Sequence, residues 1–259
     1  MKSMIFAAGL GTRLKPITDT LPKALVPIGG KPLIEHVARK LKASGIEEAV
    51  VNVHHFAEKV EAWIGEQDIM KMEVSDERGM LLETGGAVLH ARRYLEGCGQ
   101  FLIHNVDIIS DLDIRWFESK ICDGALATLL VSERKTSRYL LFAPDTMRLV
   151  GWTNVATGEV RSPYPDMDPS SCRMLAFSGI HMMSDKVFDV LDSYAREKGL
   201  DMENPRFPIM DFYLSVCAEY EIHGVEAEDL HLVDVGKLDS LEMAENEISR
   251  LCPIMNLRL

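Results

Sequence analysis

The chain has 259 residues, 47% of them hydrophobic, and a formal charge of −12 at neutral pH. That length suffices for a sizeable core in one large α/β domain, and the acidic balance excludes the basic face that nucleic acid or an anionic membrane surface requires. The five cysteines, Cys98, Cys122, Cys172, Cys217 and Cys252, are odd in number, far apart and without a C-x-x-C pair; this is the usage of reduced thiols in a cytosolic protein, not of a disulfide framework or a zinc site.

Taken in chain order, Lys2 and the apolar residues after it superficially resemble a secretory leader, but the run contains Gly9 and ends at Arg13, so residues 3–8 read as a buried first strand. No apolar stretch approaches the roughly 20 residues of a membrane span. A helix over 32–44 follows, with Leu33, Ile34, Val37, Ala38 and Leu41 at helical spacing, Pro32 in the first turn and Gly45 at the end. A strand at 49–53, a helix at 56–65, a strand at 72–75, a helix at 85–95 and a strand at 101–105 come next. Alternation of this kind predicts right-handed crossovers and a mainly parallel sheet. His54 and His55 are adjacent in an extended segment and point to opposite faces, which argues against a shared metal.

A helix through Trp116 to Ile121 leads into the β-rich 125–132, and shorter strand signals at 139–143, 149–153 and 174–183 suit antiparallel additions to the sheet. Helices return at 185–196, 209–218 and 237–250. Between the strand signals lies "VRSPYPDMDPSSCR", residues 160–173, a Pro/Ser/Asp-rich stretch too long for a simple turn and expected to form a flap over a pocket. The tail "CPIMNLRL" leaves core packing and a contact between copies in a homo-oligomer both open.

The segment "AAGLGTRLKPITDTLPKALVPIGGKP", residues 7–32, places glycines and cations directly behind the first strand. Glycine loops at such positions cradle phosphate, because backbone N–H groups reach the oxygens where no side chain intrudes. The dinucleotide fingerprint is broken by Leu14 at its third glycine and by Pro16, and the G-x-x-x-x-G-K-[ST] loop is absent, which disfavours a dinucleotide oxidoreductase. Two carboxylates end apolar runs, Asp107 in "FLIHNVD" and Asp234 in "HLVDVG". Carboxyl ends of strands are where open α/β sheets bind ligands, and magnesium takes one or two carboxylates beside phosphates and water.

The pattern G-x-G-T-R-L-x-P-x-T, P-K-x-L-V-P-I and K-P-L-I over 9–34 resembles the signature of the sugar-1-phosphate nucleotidylyltransferases. That resemblance implies an α/β fold: a single Rossmann-like three-layer α/β/α domain with a mixed, mainly parallel sheet. It implies a nucleotide-binding half over 1–124 and a sugar-binding half with the C-terminal helix over 125–259. Ala8, Gly9, Gly11 and Thr12 are then expected around the nucleotide, with Arg13 on the leaving pyrophosphate and Lys23 on the α-phosphate. Asp107 and Asp234 would hold Mg2+. The segment "DERGMLLETGGAV", 76–88, looks like the family's base-recognition segment, which puts Glu77, Thr84 and Gly85, with Asn105, on the nucleotide.

Gly179 in "AFSGI" is expected on the sugar side. The family's E-K-P step is not evident, and Glu159–Pro163 offers only Arg161 as a loose substitute for its lysine. Val106 also departs from the pattern, standing where glycine is frequent, which questions how closely a substrate packs there. The substrates implied are a nucleoside triphosphate and a sugar 1-phosphate. The L-E-T-G-G form is most similar to the short N-acetylmuramate-1-phosphate uridylyltransferases, with mannose- or heptose-1-phosphate guanylyltransferases as the alternative. A regulatory subunit that binds nucleotide-sugar without turnover would lack one of Arg13, Lys23, Asp107 or Asp234, and all four are present. A choline-phosphate cytidylyltransferase calls for an aromatic cage, for which only Trp152 and Tyr164 are suggestive.

Overall fold

The structure, a computed structural model, describes residues 1–251; Cys252 and the apolar tail lie outside the described residues. Its centre is β1 (Lys2–Phe6), which is paired in parallel on one side with β4 (Glu48–Val53) and on the other with β6 (Gln100–Asn105). Between β1 and β4 the chain makes three short 3-10 turns, the hairpin β2 (Pro27–Ile28) and β3 (Lys31–Pro32), and helix α1 (Leu33–Ala43). The periodic apolar face of α1 is buried as its spacing predicts, and Gly45 ends it with φ 86°. Helix α2 (Ala57–Glu66) then crosses to β5 (Lys71–Asp76), parallel to β4.

The helix expected over 85–95 is two pieces, α3 (Glu83–His90) and α4 (Arg92–Leu95), broken at Ala91. After β6 comes the short β7 (Ile108–Ser110), then α5 (Ile114–Glu118), whose start is capped by Asp113 accepting from the N–H groups of Arg115 and Trp116. The sheet continues with β8 (Ala127–Ser132), β9 (Arg138–Phe142), β10 (Leu149–Asn154), β11 (Glu159–Arg161) and the long β12 (Arg173–Ser184). The stretch 160–173 is therefore a strand at its start and a 3-10 turn at Pro169–Ser171, with an exposed loop between. Helices α6 (Val187–Glu197) and α7 (Ile209–Val216) precede β13 (Ile222–Glu226) and β14 (Leu232–Asp234), and α8 (Leu238–Leu251) closes the described chain.

The main sheet has ten strands in the path β11-β10-β9-β12-β6-β1-β4-β5, with β8 joined to β12 and β13 to β8. Following the pairings from β1, only β12 and β10 run against the rest, so the sheet is mixed and mainly parallel, as expected. Alternation along β1 sends Ile5 to one core and Met4 to the other. The first core packs under α1, α2, α5 and α8, and the second under α3, α4, α6 and α7. The result is the three-layer arrangement that short apolar strands and amphipathic helices dictate. Because β1, β4, β5 and β6 run together, their carboxyl ends share one edge of the sheet. No described helix is long and apolar enough to cross a membrane, and the four cysteines among the described residues are free.

Candidate active site

The loop after β1 begins with Ala7 and Ala8, both 5% exposed, and turns out to solvent at Gly9 and Leu10. Gly11 then takes φ 63°, a left-handed conformation that favours glycine, and a Cβ there would lie 2.8 Å from Thr18 Cγ2 and 3.2 Å from Lys23 Cβ. The Gly11 carbonyl accepts from Leu14 N–H and from the Thr18 hydroxyl, each at 2.8 Å. The loop thus folds over onto Lys23. Thr12 and Arg13, in the first 3-10 turn, are exposed beside it.

Lys23 sits in a 3-10 turn behind Pro22, with its side chain 11% exposed, and its ammonium is paired with the carboxylate of Asp107. Burying a lysine head group is costly without such a partner. Asp107 lies two residues beyond the end of β6, and β7 after it pairs antiparallel with β14. This pairing sets Asp234 opposite Ile108, and the N–H of Val235 donates to the Asp107 carbonyl at 2.8 Å. Asp107 and Asp234, far apart in the chain, are thereby brought to neighbouring positions of the paired backbone.

Gly236 completes the cluster. A Cβ there would meet Arg13 Nη2 at 2.6 Å and Asp234 Oδ1 at 2.8 Å, so the guanidinium and the carboxylate border one point that only a glycine leaves open. Asp234 Oδ1 is buried with no hydrogen-bond partner among the described residues, and a buried anionic oxygen in that state calls for a ligand. The donor set is oxygen only, and a hard divalent cation suits it, with its other positions left to phosphate and water.

Other expected residues lie around this cluster in different states. Asn105 ends β6 against Gly179, where φ is 74° and a Cβ would be 2.9 Å from Asn105 Nδ2. Val106 points into the core at 3% exposure, and its N–H donates to the Phe6 carbonyl, so its branched side chain leaves the substrate side clear. Arg161 is tied by a 2.7 Å bond to Asp211 on α7 and lies over the Trp152 ring, a cross-link between β11 and α7.

The segment 76–88 differs most from expectation. The N–H groups of Gly85 and Gly86 both donate to the Phe207 carbonyl, at 2.9 and 3.2 Å, and the Thr84 hydroxyl oxygen accepts from Ile209 N–H at 2.9 Å. These bonds clamp α3, within the segment expected to face the base, to residues 205–209. The glycines are there for close packing: a Cβ on Gly86 would lie 1.7 Å from the Pro205 carbonyl oxygen. Glu83 opens the helix with φ 62° and pairs with Arg206, an unusual conformation for a non-glycine residue.

Glu77 is 2% exposed, and both its carboxylate oxygens accept hydrogen bonds inside the protein, from Asn52 Nδ2 and Leu82 N–H. Burial holds this carboxyl above the usual carboxylate range, partly offset by those two bonds. Asn52, the partner that chain reading passed over, was signalled by a lone amide inside the apolar run "AVVNV". His54 Nδ1 donates to the Glu77 carbonyl at 2.7 Å, a structural partnership.

Comparison with known proteins bears on the same region. The family model described as nucleotidyl transferase matches residues 2–145. An N-acetylmuramate alpha-1-phosphate uridylyltransferase of Caulobacter vibrioides is 46% identical over 111 residues, covering 41% of this chain and 46% of its own. The bifunctional protein GlmU of Methanococcus maripaludis is 28% identical over 228 residues, 87% of this chain and 49% of its own. The chain thus spans about half the length of these curated relatives. In fold it is similar to the crystal structure of HddC from Yersinia pseudotuberculosis, with TM-score 0.72 and 20% identity over 95% of this chain and 99% of that one. With the glycine loop, Arg13 and Lys23 all lying inside the matched residues, and that match running over more than half of the sequence, the chain belongs to the nucleotidyl transferase family.

Proposed function

We propose that the protein is a sugar-1-phosphate nucleotidylyltransferase, joining a nucleoside triphosphate to a sugar 1-phosphate and releasing pyrophosphate. The observation that carries this reading is the convergence of Lys23, Asp107, Asp234 and Arg13 around Gly11 and Gly236 at the carboxyl edge of the sheet. A phosphate oxygen of the sugar phosphate attacks the α-phosphorus in line, a new P–O bond forms, and the bond from the α-phosphorus to the bridging oxygen breaks. The electron pair leaves with pyrophosphate. The nucleophile is already ionised at neutral pH, so alignment and charge neutralisation carry the step without a general base.

In this reading Arg13, exposed at the loop, receives the pyrophosphate, and Lys23, paired with Asp107, faces the α-phosphate. Asp107 and Asp234 are the residues that would hold Mg2+, which supplies charge neutralisation between the two polyanions. The partly buried setting of Lys23 strengthens each of these electrostatic contacts relative to open water. The uridylyltransferase relative favours UTP and N-acetylmuramate 1-phosphate as substrates. A relative named as a probable mannose-1-phosphate guanylyltransferase keeps GTP with a mannose or heptose 1-phosphate as the second reading.

The test is pyrophosphate release with Mg2+, crossing the common nucleoside triphosphates with N-acetylmuramate, N-acetylglucosamine, glucose, mannose and heptose 1-phosphates and with phosphocholine. One strong sugar pair, abolished by chelation, supports the proposal and names the substrates. Nucleotide binding without turnover on any pair would favour the regulatory subunit, and turnover with phosphocholine alone would move the chain to a different branch of the reaction class.

A further inference from the structure

A line of buried polar groups crosses the carboxyl edge of the sheet behind the glycine loop. Ala7 N–H donates to Asn52 Oδ1 at 2.7 Å, Asn52 Nδ2 donates to Glu77 Oε1 at 2.8 Å, and Leu82 N–H donates to Glu77 Oε2 at 3.2 Å. Asn52 is 4% exposed and Glu77 2%. The backbone of Glu77 is fastened too: its N–H donates to the Val53 carbonyl at 2.8 Å, and its carbonyl lies 2.7 Å from His54 Nδ1. The line therefore starts at the first residue beyond β1 and ends at the residue that caps α3.

Burying a carboxylate is costly, and apolar residues of similar volume commonly fill such a place with equal or greater stability. What an amide and a carboxylate add is direction: each oxygen and N–H fixes the position of one named partner. The two partners at the ends are backbone N–H groups, one in the Ala7–Gly11 loop and one just ahead of Glu83, the residue with φ 62° that opens α3. Neither Asn52 nor Glu77 reaches the surface to meet a ligand itself.

We propose that Asn52 and Glu77 are positioning residues for the nucleoside triphosphate, setting the separation between the glycine loop and the start of α3, the two segments that the nucleotidylyltransferase reading puts on either side of the nucleoside. This rests on the nucleotidylyltransferase reading of the site. The polarity of the line makes a specific demand on sequence. With Glu77→Gln, the single amide oxygen serves Asn52 or Leu82 but not both, and one buried donor is orphaned. With Asn52→Asp, two carboxylates face each other at hydrogen-bond distance. In the double variant Asn52→Asp/Glu77→Gln the pattern is restored with its polarity reversed, because the new carboxylate accepts from Ala7 N–H and from the new amide, whose oxygen keeps Leu82 N–H.

The experiment measures the nucleoside triphosphate Kd by calorimetry, with kcat and both KM values from pyrophosphate release and melting temperature from circular dichroism. Each single change is expected to raise the nucleotide Kd and KM by about tenfold or more, the effect of one orphaned buried group. The sugar-phosphate KM is expected to stay within about twofold, and the double variant to return within about threefold of the natural protein. Singles that leave nucleotide Kd unchanged overturn the proposal, as does a double variant that folds and binds no better than the singles. Should the singles fail to fold, Asn52→Leu/Glu77→Leu decides: a folded protein with unaltered nucleotide affinity shows a core-filling role only and overturns the proposal, whereas weakened nucleotide binding at unchanged melting temperature supports it. Natural protein that binds no nucleotide overturns the enzyme reading and this inference together; binding without rescue by the reversed pair overturns this inference alone.

Discussion

Replacing Gly86 by alanine would put a methyl carbon 1.7 Å from the Pro205 carbonyl oxygen and 2.9 Å from the Pro205 carbonyl carbon. Ordinary contacts of this kind lie at about 3.5 Å, so residues 205–209 must retreat by roughly 1.5 Å or more, since backbone cannot rotate away as a side chain does. That segment meets α3 through the Gly85 and Gly86 N–H groups donating to the Phe207 carbonyl at 2.9 and 3.2 Å. Phe207 N–H also donates to Leu82 at 3.2 Å, and Ile209 N–H to the Thr84 hydroxyl at 2.9 Å. Such bonds weaken steeply past about 3.5 Å, and at about 0.5–1.5 kcal/mol net for each, losing the set costs about 2–6 kcal/mol. For a chain of this size that is a fall of roughly 10 °C in melting temperature. Urea denaturation and thermal melting measure it, with Gly79→Ala as the control because nothing lies within 4 Å of its added Cβ. On the proposed function, nucleotide affinity falls with stability. A Gly86→Ala protein within about 0.5 kcal/mol of the natural one, the range of an ordinary surface change, would refute the clamp between α3 and 205–209.

Gly236→Ala places its Cβ against Arg13 Nη2 and Asp234 Oδ1, so pyrophosphate release should fall by at least about tenfold through misplacement of either group, while the melting temperature changes little; undiminished turnover would separate Arg13 from the site. Lys23→Met removes the ammonium that faces Asp107, and a loss of about 10²–10³ in kcat is expected, with calorimetric Mg2+ binding retained; full turnover would dismiss Lys23 from the chemistry. Burial pushes His104 down to about 4 and His181, hydrogen-bonded to Tyr213, to about 3. Both are neutral in the fold, whereas the unfolded chain takes up protons below about pH 6.5, so stability is full above that pH and is lost as pH falls toward 4. The slope for each histidine is up to about 1.4 kcal/mol per pH unit. Urea midpoints between pH 7 and 4.5 check this, His181→Gln should lower the slope by about one proton, and a flat profile would contradict the burial of these rings.

The elements with strong periodicity were legible in the chain itself. Leu33, Ile34, Val37, Ala38 and Leu41 define a helix in any context that supplies a core, and the apolar runs ending at Asp107 and Asp234 mark strand ends. The glycine loop was equally plain, because the steric freedom of Gly11 is a property of the residue. Other contacts were not legible where one residue type serves two structures. Thr84, Gly85 and Gly86 offer the same N–H groups to a nucleobase or to Phe207, and only the packed position of 205–209 decides between them. Glu77 could equally have faced solvent, until Asn52 on the next strand took one oxygen and Leu82 the other. The break at Ala91 and the β2–β3 pairing carry signals too short for periodicity to register.

Local propensity and hydrophobic period thus determined the strands, the main helices, the phosphate-type loop and the carboxylates at the strand ends, because each depends on neighbours within a turn or a few residues. The meeting of Asp107 with Asp234 through β7 and β14, the approach of Arg13 to Gly236 and the inward turn of Glu77 were decided by the tertiary structure alone. Such pairings join residues distant along the chain, and which partner a polar group takes is set by how the layers pack, a property of the whole core that no short window of sequence contains.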